Sequence, residues 1–199
     1  MPSSMIHLLA AAEYLPSMPA RFMIGNLAPD ATKRGFKEKD LTHLRQFADE
    51  RERLCELEKY ARSMDLTDEF YVGVILHLYE DCLWDCSALK DFKEARGSNA
   101  EDWFVPYRTE ISITSQWLYH NTSWSERVWT DMNAYTIAAN CPPIMFTSSA
   151  DIDEYIARNF IWHRDNIVNA PEIFTPDYIY AFVKSSVESF KSWSKRIFI

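Results

Sequence analysis

Along this chain apolar residues recur at intervals of three and four rather than two, a spacing that predicts helices almost throughout. "SSMIHLLAAAEY", behind Pro2 and two serines suited to capping, predicts a helix over residues 3–13. The next stretch, "LPSMPARFMIGNLAPDATKRGFKEKD", holds three of the nine prolines and two of the four glycines and is read as a long irregular loop. Asp40 or Thr42 can cap a helix over residues 41–63, and "DLTDEF" opens the helix that carries "YVGVILHLYEDCLWD", residues 71–85. A polar connection, "DFKEARGSNAEDWFVP", leads to further helices over 106–121, 123–139, 149–165 and 175–195, with Pro142, Pro143, Pro171 and Pro176 in the breaks. The expected architecture is an all-α bundle of about seven helices, one domain over residues 1–199.

One segment breaks its own apolar pattern. At about 100° per residue, Phe70, Gly73, His77, Asp81 and Trp84 share a stripe, while Cys82 and Cys86 fall roughly opposite. An imidazole and a carboxylate thus point into whatever the aromatic stripe packs against. Burying them without a partner costs several kcal/mol in lost hydration, so a site is expected there.

Composition narrows the classes. The formal charge of −8 opposes binding to duplex nucleic acid or to an anionic bilayer surface. Four glycines are too few for the turns and bulges of a barrel or sandwich. Cys55, Cys82, Cys86 and Cys141 form no CxxC pair and read as reduced thiols, and no apolar run reaches the ~18 residues of a membrane span. The leading "MPSSMIHLLAAAEYLPSMPA" lacks a basic start and carries His7 and Glu13, so it reads as a first helix rather than a signal peptide. A cytoplasmic location is expected.

Three of the five histidines, His7, His43 and His77, lie in the first 77 residues. With Asp30 and Asp81 they make a set of imidazoles and carboxylates that suits zinc, and also manganese or iron, with no cysteine on the same stripe. The order of these pieces, His7 in "SSMIHLL", Asp30 in "GNLAPDA", Thr42-His43 in "LTHLR" and His77 with Asp81 in "LHLYED", resembles the zinc-dependent phospholipase C family over about the first 90 residues. That family shares its all-helical fold with single-strand-specific nucleases. The resemblance implies that Asp30, His43, His77 and Asp81 surround one zinc, and that His7 serves it or a neighbouring ion bridged by Asp81. The family's secreted enzymes hold three metals, using an N-terminal tryptophan, a further histidine after the helical aspartate and a later His-x-x-x-Glu. Here His120 and His163 are followed four residues on by Trp124 and Ile167, so one or two ions are expected, with Asp85, Glu110 and His120 as spare ligands for a second.

The implied activity is metal-assisted hydrolysis of a soluble small-molecule phosphoester. Asp30 is the expected proton acceptor from the attacking water, with Glu80 as fallback, although Glu80 reads better as an exposed charge. Arg108, in "YRTE", is a candidate phosphate clamp whose plainer role is a surface ion pair with Glu110 or another acid. Trp84, Trp103, Trp117, Trp124 and Trp129 are candidates for a substrate wall, or simply core. The competing reading is a non-enzymatic helical protein with one structural or vestigial metal site.

Overall fold

The computed structural model describes residues 1–33, 35–97 and 102–197. Among them the regular elements are helical: α1 (Ser4–Tyr14), α2 (Ala20–Leu27), a 3₁₀ turn (Ala28–Ala31), α3 (Phe36–Thr42), α4 (Glu50–Arg62), α5 (Glu69–Cys86), α6 (Ala88–Ala95), α7 (Phe104–Asn121), α8 (Ser125–Ala134), α9 (Ile137–Asn140), α10 (Ser149–Asp165) and α11 (Pro176–Ser194). The chain is an all-α bundle. No helix of the described residues is long and apolar enough to cross a membrane.

Local chemistry sets the helix starts. Asp49, Asp68 and Thr175 accept from main-chain N–H groups of the first turns of α4, α5 and α11. Ser148 and Asp151 close a reciprocal capping box at the head of α10. α5 is the spine, packed against α1, α2, α4, α6 and α11.

The crossing of α2 over α5 is backbone on backbone. A β-carbon at Gly25 would lie 2.0 Å from the Phe70 carbonyl oxygen, and one at Gly73 would lie 2.4 Å from the Phe22 carbonyl oxygen. Only hydrogen fits at either place. This approach carries the end of α2 and the 3₁₀ turn onto the polar positions of α5.

The expected long loop is mostly regular structure, since α2, the 3₁₀ turn and α3 all fall inside it. Pro19 is the N-cap of α2 and Pro29 sits in the first turn of the 3₁₀ segment, both positions where proline costs no hydrogen bond. The helix expected over 41–63 is two, because α3 stops at His43 and Leu44 takes a positive φ of 56°. The 123–139 helix is divided into α8 and α9, and the polar connection takes in the second half of α6 and the first residues of α7; its residues 98–101 lie outside the described residues. Trp84 and Trp129 are fully buried core, Trp103, Trp117 and Trp124 pack against it, and Trp103 also lines a cleft.

Candidate metal centre

Four elements converge on one point. His7 comes from the middle of α1, Asp30 from the 3₁₀ turn, His43 from the C-cap of α3, and His77 and Asp81 from successive turns of α5. His43 Nε2 and His77 Nε2 lie 3.3 Å apart. Asp30 Oδ1 is 3.4 Å and Asp81 Oδ2 3.5 Å from His43 Nε2, and Asp81 Oδ2 is 3.8 Å from His77 Nε2. His7 stacks on His77 with ring centroids 3.7 Å apart, and its Nε2 is 3.7 Å from Asp81 Oδ1. Two overlapping ligand triads result, His7–His77–Asp81 and Asp30–His43–His77.

The tautomers follow from what sits behind the rings. His43 Nδ1 is 2.7 Å from the Lys39 carbonyl oxygen, and His77 Nδ1 is 2.7 Å from the Asn26 carbonyl oxygen. A carbonyl only accepts, so each Nδ1 carries the hydrogen and each neutral ring turns a bare Nε2 lone pair to the centre. Two lone pairs facing each other repel, and a shared cation or proton relieves that. On α1, His7 Nδ1 lies 2.7 Å from Glu80 Oε2. A carboxylate or main-chain carbonyl behind a ligating histidine is the usual support of a metal site. His7 Nε2 and Asp81 Oδ1 are buried without a hydrogen-bond partner among the described residues, while Asp30 Oδ1 is ion-paired with Lys39. The donor set therefore fits a divalent cation that takes nitrogen and oxygen.

Charge is tuned to the same end. Burial, assisted for His7 by His77, holds His7 well below the usual imidazole range. Burial also pushes His77 down to about 4. For the two aspartates burial acts upward, but their partners win: Lys39 and the facing imidazoles for Asp30, and His43, Arg45 and His77 for Asp81. Both carboxyls are held well below their ordinary values, as ligands rather than strong bases. Glu80 moves the other way, raised well above a normal carboxyl by burial and by Asp81.

No protein-family model, curated protein or solved structure matches the chain. The function therefore has to be argued from the site alone.

All five expected ligands are thus brought together. The spare ones are not. Glu110 is buried and accepts from the Ile173 and Phe174 amides, and His120 Nε2 lies 2.9 Å from the Asn166 carbonyl oxygen on the surface. Asp85 faces cations: Arg45 Nε at 3.0 Å and Arg53 Nη1 at 2.9 Å, both on Oδ2. Glu80 is not an exposed charge but fully buried behind His7. With Glu110 engaged elsewhere, Arg108 makes no ion pair with it among the described residues, and is exposed at the rims of three clefts.

Sequence reasoning passed over Lys39, whose Nζ is 3.1 Å from Asp30 Oδ1, and Arg45, whose Nη2 is 3.4 Å from Asp81 Oδ2. It also passed over a second polar pair, Ser115 Oγ with His163 Nε2 at 2.8 Å. That pair resembles a nucleophile and its base. Burial holds His163 at about 4, however, too weak to take a proton near neutrality, and its Nδ1 is 2.7 Å from the Asn159 carbonyl oxygen of its own helix. The pair is core.

Asp30 lines a polar cavity of about 490 Å³ also bounded by Lys39, Arg108, Tyr155 and Arg158. On the other side of Met1 and Lys39 lies a more apolar cleft of about 700 Å³.

Proposed function

We propose that the chain is a zinc-dependent hydrolase of soluble phosphoesters, working in a reducing, cytoplasmic setting and holding one or two ions between His7, Asp30, His43, His77 and Asp81. The observation that carries the reading is the pair of opposed Nε2 lone pairs of His43 and His77, locked by carbonyls behind each ring and flanked by two ionised aspartates. Zinc bound there supplies a Lewis acid and a coordinated water whose pKa falls to about 7. Asp30, which lines a cleft, faces the substrate, and its ionised carboxylate would accept a hydrogen bond from the attacking water and so orient it. Lys39, beside it, keeps that carboxyl ionised and stands ready to pair with the developing phosphoryl charge. Arg108 and Arg158 on the same cleft orient the anionic end of the substrate.

A structural ion is favoured by one observation: His7, His43, His77 and Asp81 are wholly buried, as in a closed site. The two readings separate by experiment. Protein purified without chelator is assayed for bound metal by elemental mass spectrometry and for hydrolysis on a panel of phosphomonoesters and phosphodiesters, beside a His77→Ala, Asp81→Ala double variant. Stoichiometric zinc and a hydrolytic rate that both vanish in the variant support the hydrolase. Zinc without any hydrolysis supports the structural ion, and a folded protein that binds no metal sinks both.

A further inference from the structure

The larger cleft holds an unused anion-binding group. Arg53, on α4, is 5% exposed and lines this cavity beside Arg45, Asp85, Phe47 and Trp103. Its Nη1 donates to Asp85 Oδ2, while its Nε and Nη2 have no partner among the described residues. Nε–H and Nη2–H together form the lateral edge of a guanidinium, the fork that grips a carboxylate or phosphate with two parallel hydrogen bonds. Buried donors left unpaired are costly, so native proteins seldom keep them idle. Asp85 fixes the orientation of the fork, and it shares the same oxygen with Arg45, so one carboxylate holds two guanidiniums. In a chain of net charge −8, Lys39, Arg45, Arg53 and Arg108 on this cavity outnumber its acids, Asp40 and Asp85. The apolar wall of Phe47, Leu89, Trp103 and Phe104 completes it.

We infer that this cleft binds a second anionic group of the substrate, a carboxylate or a phosphate remote from the scissile ester, with Arg53 as its principal contact. The substrate class is then a phosphoester bearing a further anion across a short apolar spacer. This rests on the hydrolase reading for the scissile end, but the Arg53 subsite is testable separately. Lys39 and Met1 border both cavities, so one small molecule can span them.

The test is calorimetric titration of zinc-loaded full-length protein with three non-hydrolysable compounds: phenylphosphonate, 4-phosphonobenzoate and 1,4-benzenediphosphonate. The two compounds with a second anion are expected to bind at least about 10-fold more tightly than phenylphosphonate, as charge-assisted bidentate bonds allow. In Arg53→Gln that ratio drops to about 2-fold or less. If Arg53→Gln does not fold by circular dichroism, Arg53→Lys, which keeps a charge but loses the fork, is expected to lower the ratio in its place. Equal binding of all three compounds to the wild type, or a preference that survives in a folded Arg53 variant, overturns the inference and leaves the hydrolase reading intact. Should phenylphosphonate not bind and no phosphoester be hydrolysed, the hydrolase reading fails; benzoate, which has no phosphorus, then decides the cleft, with Arg53-dependent binding supporting it and no binding ending it.

Discussion

Two imidazoles anchored to main-chain carbonyls on one edge have no freedom to turn away on the other, and the centre depends on that fixity. His77→Ala is expected to cut bound zinc by more than about 100-fold in affinity, since a ligand is lost outright; competition with a chromophoric chelator reads it. Behind His7, Glu80→Gln keeps an acceptor and Glu80→Leu removes it. Outer partners of this kind are worth about 10–100-fold in metal affinity, so the first variant is expected near the lower figure and the second near the upper. Equal affinities in both would mean that Glu80 does not orient His7. Histidine 163 gives a stability prediction independent of any ion. Its folded pKa of about 4 lies below the unfolded value of about 6.5. Between those values the unfolded chain binds a proton that the folded one refuses, so stability falls as pH drops through this window, by roughly 3 kcal/mol over its span. Urea midpoints at pH 7, 5.5 and 4.5 are expected to drop less steeply in His163→Gln than in the wild type. That His77 and Asp81 share a buried face was legible, because they stand four apart on one helical stripe. Glu80 was not, because its partner His7 lies far away in sequence and no local spacing reports that contact.

At the scale of elements, the paired glycines of α2 and α5 decide whether the site exists. Gly73→Ala forces its methyl into the Phe22 carbonyl and the Asn26 amide nitrogen, which lie 2.4 and 2.7 Å from the ideal position. Overpacking against backbone is expected to cost about 3 kcal/mol, at the upper end of such effects. The displaced helix also withdraws the Asn26 carbonyl from His77, so zinc affinity falls together with the urea midpoint. A stable Gly73→Ala protein with full zinc affinity would show that the close crossing is dispensable. These glycines also explain where sequence reading erred. Gly25 and Pro19 look like loop residues when counted, yet Gly25 is there for contact and Pro19 for a helix start, and neither purpose differs from a turn in one-dimensional pattern. The helices 149–165 and 175–195, by contrast, carry caps that the chain spells out locally, and they stand within a residue of their expected limits.

For the molecule as a whole, an ion bound where these four elements meet would tie folding to metal. At a free zinc concentration of 100 times Kd, binding adds about 2.7 kcal/mol to stability, which for a chain of this size corresponds to roughly 5–10 °C in Tm. Chelator treatment is expected to lower Tm by that amount in wild type and by nothing in the His77→Ala, Asp81→Ala variant; an unchanged wild-type Tm would count against any bound ion. The all-α class was readable because helical periodicity runs through nearly every segment. The clefts were not, because their walls join residues far apart in the chain: Lys39 and Arg53 with Trp103 and Arg108, or Asp30 with Tyr155 and Arg158. That division has a consequence for how such a molecule changes over generations or in the laboratory. Every candidate ligand precedes residue 82, whereas Trp103, Phe104, Arg108 and Arg158 come later, on or beside α7 and α10. Randomising those later positions offers a route to new substrates on an undisturbed reactive centre, so the C-terminal portion of the chain is the place to begin a selection for altered specificity.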